Sequence, residues 1–313
     1  MTTTKDRPIL ITGAHRSGST WVGHMLALSP FLGYIHEPFN PRREPGICSA
    51  KFDFWFMHIC DENGSFYEND IQNCLHFKGY FLEKLGTSGS LENWKHLCRN
   101  FLRFAMFRTL QKRALVKDPI AIFSAEWLAK RFNMDVVVMI RNPAAFVGSL
   151  KKAGWTFDFN QFLQQPLLME HYFSKYESKI REYATDGKDI IDQAILLWNL
   201  IYHVVLIYQK EYPDWIFVRH EDLSNSPSKE FCLLYDKLGL DFSVDIEQQI
   251  LSCSSTESSI GKGSVVQRDS SSNIYSWQAR LSDDEICRVK RDTFEIACEF
   301  YPEEEWMKRR QNL

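Results

Sequence analysis

Short apolar runs alternate with stretches of helical period along most of the chain. Pro8 to Thr12 predicts a buried strand, Ser19 to Leu28 a helix stopped by Ser29-Pro30, and Gly33 to Ile35 a second strand. Leu91 to Leu110 has a helical pattern, and Ala114 to Val116 predicts a short strand. Ser124 to Arg131 predicts a helix with Glu126 in its first turn. Asp135 to Ile140 is nearly continuous Val, Met and Ile, the composition of a parallel strand covered on both faces. Further on come a helix over Ala144 to Lys152, a long apolar helix over Asp189 to Lys210, and a strand over Trp215 to Val218. A helix over Ser228 to Leu238 closes at Gly239, and an amphipathic one over Ser282 to Phe300 opens on a capping pair, Ser282 with Glu285. Strands alternating with helices predict an α/β fold: three layers, with a mainly parallel central sheet flanked by helices. The chain shows no internal repeat and no clear linker, so residues 1–313 are expected to form a single domain.

The pattern weakens in two places, about 40–90 and 155–185. Both are dense in aromatic residues, among them Phe52, Trp55, Phe66, Phe81, Trp155, Phe162 and Tyr172. They are expected to be irregular insertions on the acceptor side, since long irregular segments in a domain tend to be functional. A serine-rich stretch, Ser252 to Ser276, predicts a loop.

Composition narrows the function classes. A 44% hydrophobic share in 313 residues can fill a sizeable core. The net charge of -3 is unlike that of a dedicated nucleic-acid binder. The eight cysteines include no C-x-x-C pair, so neither a zinc site nor any other metal is expected, and free thiols are. The polar start, Met1 to Arg7, has no signal-peptide core. The stretch from Ile195 to Tyr208 contains Asn199 and His203 and reads as too short to span a bilayer. A cytoplasmic protein without stable membrane insertion is expected; oligomeric state leaves no trace in the sequence.

The strongest local signal is Gly13-Ala14-His15-Arg16-Ser17-Gly18-Ser19-Thr20-Trp21, between a predicted strand and a predicted helix. In that setting a glycine loop wraps an anion with backbone N–H groups. It matches the phosphate-binding pattern G-x-x-x-x-G-K-[ST] except that Ser19 replaces the lysine. That lysine meets the β- and γ-phosphates of a nucleoside triphosphate, so ATP or GTP hydrolysis is disfavoured. Arg16 offers a positive charge instead.

The segment Arg16 to Trp21 resembles the 5′-phosphosulfate loop of sulfotransferases that use 3′-phosphoadenosine-5′-phosphosulfate (PAPS). Two more segments resemble that family in the same order. One is Val136 to Ile140 followed by Arg141-Asn142-Pro143 and Ser149, similar to the family's 3′-phosphate element; the other is Val218-Arg219-His220-Glu221-Asp222-Leu223. The resemblance implies that Arg16, Ser17, Gly18, Ser19 and Thr20 bind the 5′-phosphosulfate and that Arg141 and Ser149 hold the 3′-phosphate. Trp21 takes the place of an adenine-stacking residue, or is a core tryptophan. His220 stands where the family has a nucleotide-contacting tyrosine. Tyrosine-protein enzymes add an arginine one turn after the serine; Ala153 occupies that place here, with Lys151 and Lys152 as possible substitutes.

The resemblance also bears on the base. Aryl and steroid enzymes use a histidine two residues after a lysine at a strand end; here that lysine is Lys117, but the histidine position is Pro119. Tyrosine-protein and some bacterial glycan enzymes use a glutamate shortly after the first helix, which Glu37 matches. The expectation is Glu37 as general base, His36 as runner-up, and Lys117 and Arg16 stabilising charge during transfer. Lys262 or Arg268 would close over the nucleotide. PAPS is then the donor, PAP the product, and the acceptor a small-molecule, glycan or peptide hydroxyl (or an amine). The competing classes are a nucleotide or sugar kinase and an inactive PAP-binding protein.

Overall fold

The computed structural model describes residues 7–42, 46–79, 91–254 and 274–302, with the side chains of 91–93 excepted. Lys262 and Arg268, and with them Tyr80 and Phe81, lie outside the described residues.

Five strands form one sheet in the order β2-β3-β1-β4-β5, with helices on both faces. They are β1 (Ile9–Gly13), β2 (Leu32–His36), β3 (Arg113–Lys117), β4 (Asp135–Ile140) and β5 (Ile216–Arg219). β3 runs parallel to both β1 and β2, with Ile11 and His36 each in register with Lys117. Every residue of β1 and β3 is buried, as the unbroken apolar runs require of strands covered on both sides. Each strand's carboxyl end carries or leads into a candidate residue: the Gly13 loop, Glu37, Lys117, Arg141 and His220. That is the edge of an open α/β sheet where ligands bind.

By contacts the chain divides into two compact units. The first comprises Met1–Thr12, Ser19–Val137 and Leu238–Asp241. It contains α1 (Ser19–Leu26), α2 (Glu68–Leu75), α3 (Leu91–Thr109) and α4 (Ala125–Phe132). A buried cation organises its strand starts: Arg113 donates to the carbonyls of Arg7 and Leu238 and pairs with Asp135. Arg113 is 7% exposed, and these carbonyl and carboxylate partners compensate its burial.

The second unit comprises Gly13–Gly18, Val138–Lys237 and Phe242–Leu313. It contains α5 (Pro143–Ala153), α6 (Glu177–Thr185), α7 (Ile190–Glu211), α8 (His220–Asn225), α9 (Pro227–Lys237), α10 (Val244–Ser254) and α11 (Asp283–Ala297). Asn142 caps α5 by accepting from the Ala145 amide at 3.2 Å, with Pro143 at the first position. Gly154 ends α5 in the left-handed region, φ 63°. The capping box of Ser282 and Glu285 opens α11 as its sequence predicts.

Three corrections follow. The segment 155–185 is largely helical, with turns at Asn160–Leu163, Pro166–Leu168 and Met169–Phe173 before α6. The helix α2 likewise lies inside the stretch expected to be irregular. And α7 is 22 residues long, enough by length and composition to cross a membrane. Its side chains explain the composition otherwise: residues on all faces, including the consecutive Ile195, Leu196, Leu197 and Trp198, are buried in the second unit, where α7 packs on α5 and α11.

Candidate functional site

The loop after β1 is built on conformations that side chains resist. Gly13 has φ 130°, and a Cβ there would stand 2.5 Å from the Met139 carbonyl oxygen. Gly18 has φ 89°, and its Cβ would meet His220 Nδ1 at 2.4 Å. Glycine is therefore required at both ends for close approach. Arg16 adopts φ 64° between them.

Around this loop the second unit assembles Arg16, Ser17, Arg141, Ser149 and His220. Arg16 Nε donates to Ser149 Oγ at 3.0 Å. An Arg141 guanidinium N–H donates to the Arg16 carbonyl, and the Arg141 amide donates to the Tyr202 hydroxyl at 2.8 Å. Trp198 Nε1 closes the turn on the Arg141 carbonyl at 3.0 Å. Burial is the main influence lowering the Arg141 pKa; the Glu221 carboxylate opposes it, and the like charges of Arg16 and Arg280 add to it. Among the described residues, Ser17 Oγ and Arg141 Nε of this cluster are buried and find no hydrogen-bond partner. Such orphans are uncommon in folded proteins, and anionic oxygens are the kind of partner each would accept.

His220 is buried, and burial and then the Arg141 charge push its pKa down to about 3. It is a neutral ring at physiological pH, closer in character to the tyrosine it replaces than to a cation. Glu221, also buried, accepts from the Asn142 amide at 3.0 Å and the Tyr301 hydroxyl at 2.8 Å. It braces the turn that carries Arg141. Lys151 is engaged by Glu285, at 2.7 Å to both carboxylate oxygens.

The first unit holds the remaining candidates. Ser19, Thr20 and Trp21 form the first turn of α1, which opens directly after Gly18. At the ends of β2 and β3, Lys117 Nζ donates to Glu37 Oε1 at 2.5 Å, and Asn40 Nδ2 donates to Oε2 at 3.0 Å. The Glu37 amide donates to the Lys117 carbonyl at 2.8 Å, which holds Glu37 at φ 43°. Lys117 is fully buried; the Glu37 side chain is 24% exposed. Burial alone would raise the Glu37 pKa, but the charge and hydrogen bond of Lys117, with Asn40 and His36, bring it below the ordinary carboxylate value. His36 Nε2 lies 3.9 Å from Glu37 Oε1, and its Nδ1 is 3.1 Å from the Tyr34 hydroxyl. Asp118 goes the other way: burial first, then the Glu37 charge, push its pKa up to about 7. Amides of Phe39 at 2.6 Å and Ile120 at 3.2 Å hold that carboxyl in place.

Sequence reasoning missed Asp118, Glu221, Arg280 and the role of Trp155. Arg16 lies over the Trp155 ring at 5.3 Å, and His15 stacks on the same ring at 6.3 Å. The sequence shows Trp155 only as one of the aromatic residues after the glycine that ends α5, and its pairing with Arg16 is tertiary.

A family model described as "Sulfotransferase family" matches residues 8–244. The chain belongs to the sulfotransferase family. The matched stretch takes in the loop, Glu37, Lys117, Arg141, Ser149 and His220 of this sulfotransferase. No curated protein sequence matches it. Among solved structures, the sulfotransferase domain of the olefin synthase from Synechococcus PCC 7002 is similar at 16% identity with a TM-score of 0.49, covering 94% of each chain. Sulfotransferase STF9 from Mycobacterium avium is similar at 12% identity, TM-score 0.46, over 95% of this chain and 77% of that one. Mouse sulfotransferase SULT7A1 in complex with PAP is similar at 12% identity, TM-score 0.46, over 94% of this chain and 84% of that one.

Proposed function

We propose that this sulfotransferase moves a sulfuryl group from PAPS to a hydroxyl of a small-molecule, glycan or peptide acceptor, with Glu37 as general base. One observation carries the choice of donor: Ser17 Oγ and Arg141 Nε, buried without a hydrogen-bond partner among the described residues, beside a glycine-bounded loop. The loop amides and Ser17 suit the 5′-phosphosulfate, and the positive end of α1 favours charge that develops there. Arg141 and Ser149 suit the 3′-phosphate, and neutral His220 suits contact with the nucleoside.

In the transfer, the acceptor oxygen bonds to sulfur as the bond from sulfur to the 5′-phosphate oxygen breaks. That oxygen keeps the electron pair and leaves in PAP. The acceptor's proton goes to a carboxylate oxygen of Glu37. Its lowered pKa keeps Glu37 ionised and able to accept. Once Glu37 is neutral its hold on Lys117 weakens, which frees the ammonium for the oxygen on which negative charge collects.

The test is incubation with sulfur-labelled PAPS and a panel of hydroxyl acceptors, with product traced by mass spectrometry and PAP binding by calorimetry. Glu37→Gln is expected to bind PAP as the unaltered protein does and to lose about 10²- to 10⁴-fold in turnover. Retained turnover would pass the role to His36. Absence of PAP binding by the folded protein would end the donor reading, and PAP binding without transfer to any acceptor would leave a binding protein.

A further inference from the structure

A helix lying on a sheet needs one apolar face, and α3 has two. Leu97, Asn100 and Phe104 are buried in the first unit, and the rings of Phe104 and Phe107 both stand edge-on to Phe77. On the opposite side Leu102, Met106 and Leu110 follow one another four residues apart, and all are exposed, Leu102 by 68%. The Leu110 amide donates to the Met106 carbonyl at 3.0 Å, which carries the row past the end of the helix. Cys98 begins the row and Phe101 flanks it, both exposed. From Cys98 to Leu110 the row runs about 18 Å. At its far end the Phe31 ring is 59% exposed. The Arg113 amide donates to the Phe31 carbonyl at 2.9 Å and Lys112 Nζ donates to the Pro30 carbonyl, so that turn is tied to the helix end. Single exposed apolar side chains need no explanation, but a contiguous row marks a binding surface.

Charge on the same helix decides the partner. Lys95, Arg99 and Arg108 are exposed, and the sequence has no Asp or Glu from Asn93 to Lys117. Arg99 stands one turn before Leu102 and Lys95 two turns before it, so cations and apolar side chains share one side of the helix. Arg108 lies on the Phe101 flank. We infer that the outer face of α3 docks on an anionic lipid leaflet, with the helix lying along the interface. This is independent of the donor reading above. The headgroup region takes both kinds of side chain: lipid phosphates meet the ammonium and guanidinium groups, and acyl chains meet Leu102, Met106 and Leu110. The alternatives take only one kind. A second copy on a two-fold axis would set this face against itself and bring Lys95 and Arg99 toward like charges. Nucleic-acid phosphates would meet the cations and leave the aliphatic row in water. The attachment is peripheral, because Leu97 and Phe104 keep the inner face of α3 in the core of the first unit.

The experiment is vesicle sedimentation of the whole protein with phosphatidylcholine alone and with an equal mixture of phosphatidylcholine and phosphatidylserine, at low and at high salt. Each basic side chain near an anionic leaflet strengthens partition about fivefold. The mixed vesicles are therefore expected to bind at least tenfold more tightly than the neutral ones, roughly, and salt to narrow the difference. Lys95→Glu combined with Arg99→Glu is expected to abolish the preference for mixed vesicles. Leu102→Ser combined with Met106→Ser is expected to weaken binding to them by about tenfold. All four side chains are exposed, and circular dichroism of each variant verifies the fold. Absence of partition onto mixed vesicles overturns the inference, as does partition that neither double variant changes. Self-association in sedimentation velocity that is lost in the Leu102 and Met106 variant, without vesicle binding, would assign the face to a second copy. Oligonucleotide binding that only the charge reversals remove, again without vesicle binding, would assign it to nucleic acid. A protein that binds vesicles but not PAP would overturn the donor reading and leave this inference standing.

Discussion

The Glu37–Lys117 pair has an asymmetry that mutation should expose. Lys117 is fully buried, whereas a quarter of the Glu37 side chain meets solvent. Replacing Glu37 with glutamine removes the counter-charge from a buried ammonium. Breaking a buried ion pair in this way costs about 3–5 kcal/mol when nothing replaces the lost partner. The glutamine oxygen can still accept from Nζ, and the site opens to water on the Glu37 side, so the expected cost is about 2–3 kcal/mol. Lys117→Met leaves the opposite remainder, a carboxylate with access to water and a hydrogen bond from Asn40 at 3.0 Å. Methionine also fills much of the space of the lysine stem, so the expected cost is about 1 kcal/mol.

The double variant leaves no charge at this pair and is expected to lie within about 1 kcal/mol of the unaltered protein, a coupling that reports on the pair itself. The assay is equilibrium denaturation of all four proteins at pH 7, with PAP calorimetry to show that the nucleotide side is intact. All three variants should be poor catalysts, so the double variant would regain stability without regaining turnover. The reasoning fails if Lys117→Met is the more damaging single change, or if the double variant is no more stable than Glu37→Gln.

Two further outcomes follow from buried polar groups. The Asp118 pKa is raised to about 7 in the folded protein, so its contribution to stability is present below the unfolded value of about 3.9 and is lost as pH rises through 7. Asp118→Asn should therefore gain stability relative to the unaltered protein between pH 5 and pH 8, and a denaturation difference that stays constant across that range would contradict this. Glu37 does not mask the effect, since its lowered pKa places its own contribution above the ordinary carboxylate range, to be lost only as pH falls below it. Ser17→Ala removes a buried hydroxyl that has no hydrogen-bond partner among the described residues, so unfolding should be unchanged or slightly harder while PAP affinity falls about tenfold. A loss of stability without loss of PAP affinity would show Ser17 to be structural.

The elements legible in the sequence are those whose signal is local. Asp135 to Ile140 is legible because the five residues from Val136 to Ile140 are all apolar, as a covered strand requires. The start of α11 is legible from Ser282 with Glu285, whose side chains meet open amides of the first turn, whereas the Asn142 cap of α5 is seen only in the structure. The helix α6 is not legible, because Ile180 is its one buried residue and a single apolar position has no period. The helix α2 buries Ile71, Cys74 and Leu75 among polar neighbours, too short a run to separate from a loop.

The candidate site divides along the same line. Gly13 and Gly18 are dictated by the local backbone, and each would bring a Cβ into a neighbouring segment. What the sequence withheld depends on tertiary burial: the neutrality of His220, the raised pKa of Asp118 and the pairing of Arg16 with Ser149. These share a cause. The second unit gathers the charges of Arg16, Arg141 and Arg280 near one another, with Glu221 the opposing carboxylate that acts on Arg141. Burial and like charge both act against that arrangement, and the fold maintains it by bonding the Arg141 backbone to Tyr202 and Trp198 and by bracing the next residue, Asn142, with Glu221. Surplus positive charge held rigidly at a strand end is unfavourable for the protein alone and favourable once a dianion enters. Because the cost is met on folding, little remains to be met during binding or transfer, which is how preorganised dipoles and cations accelerate a reaction.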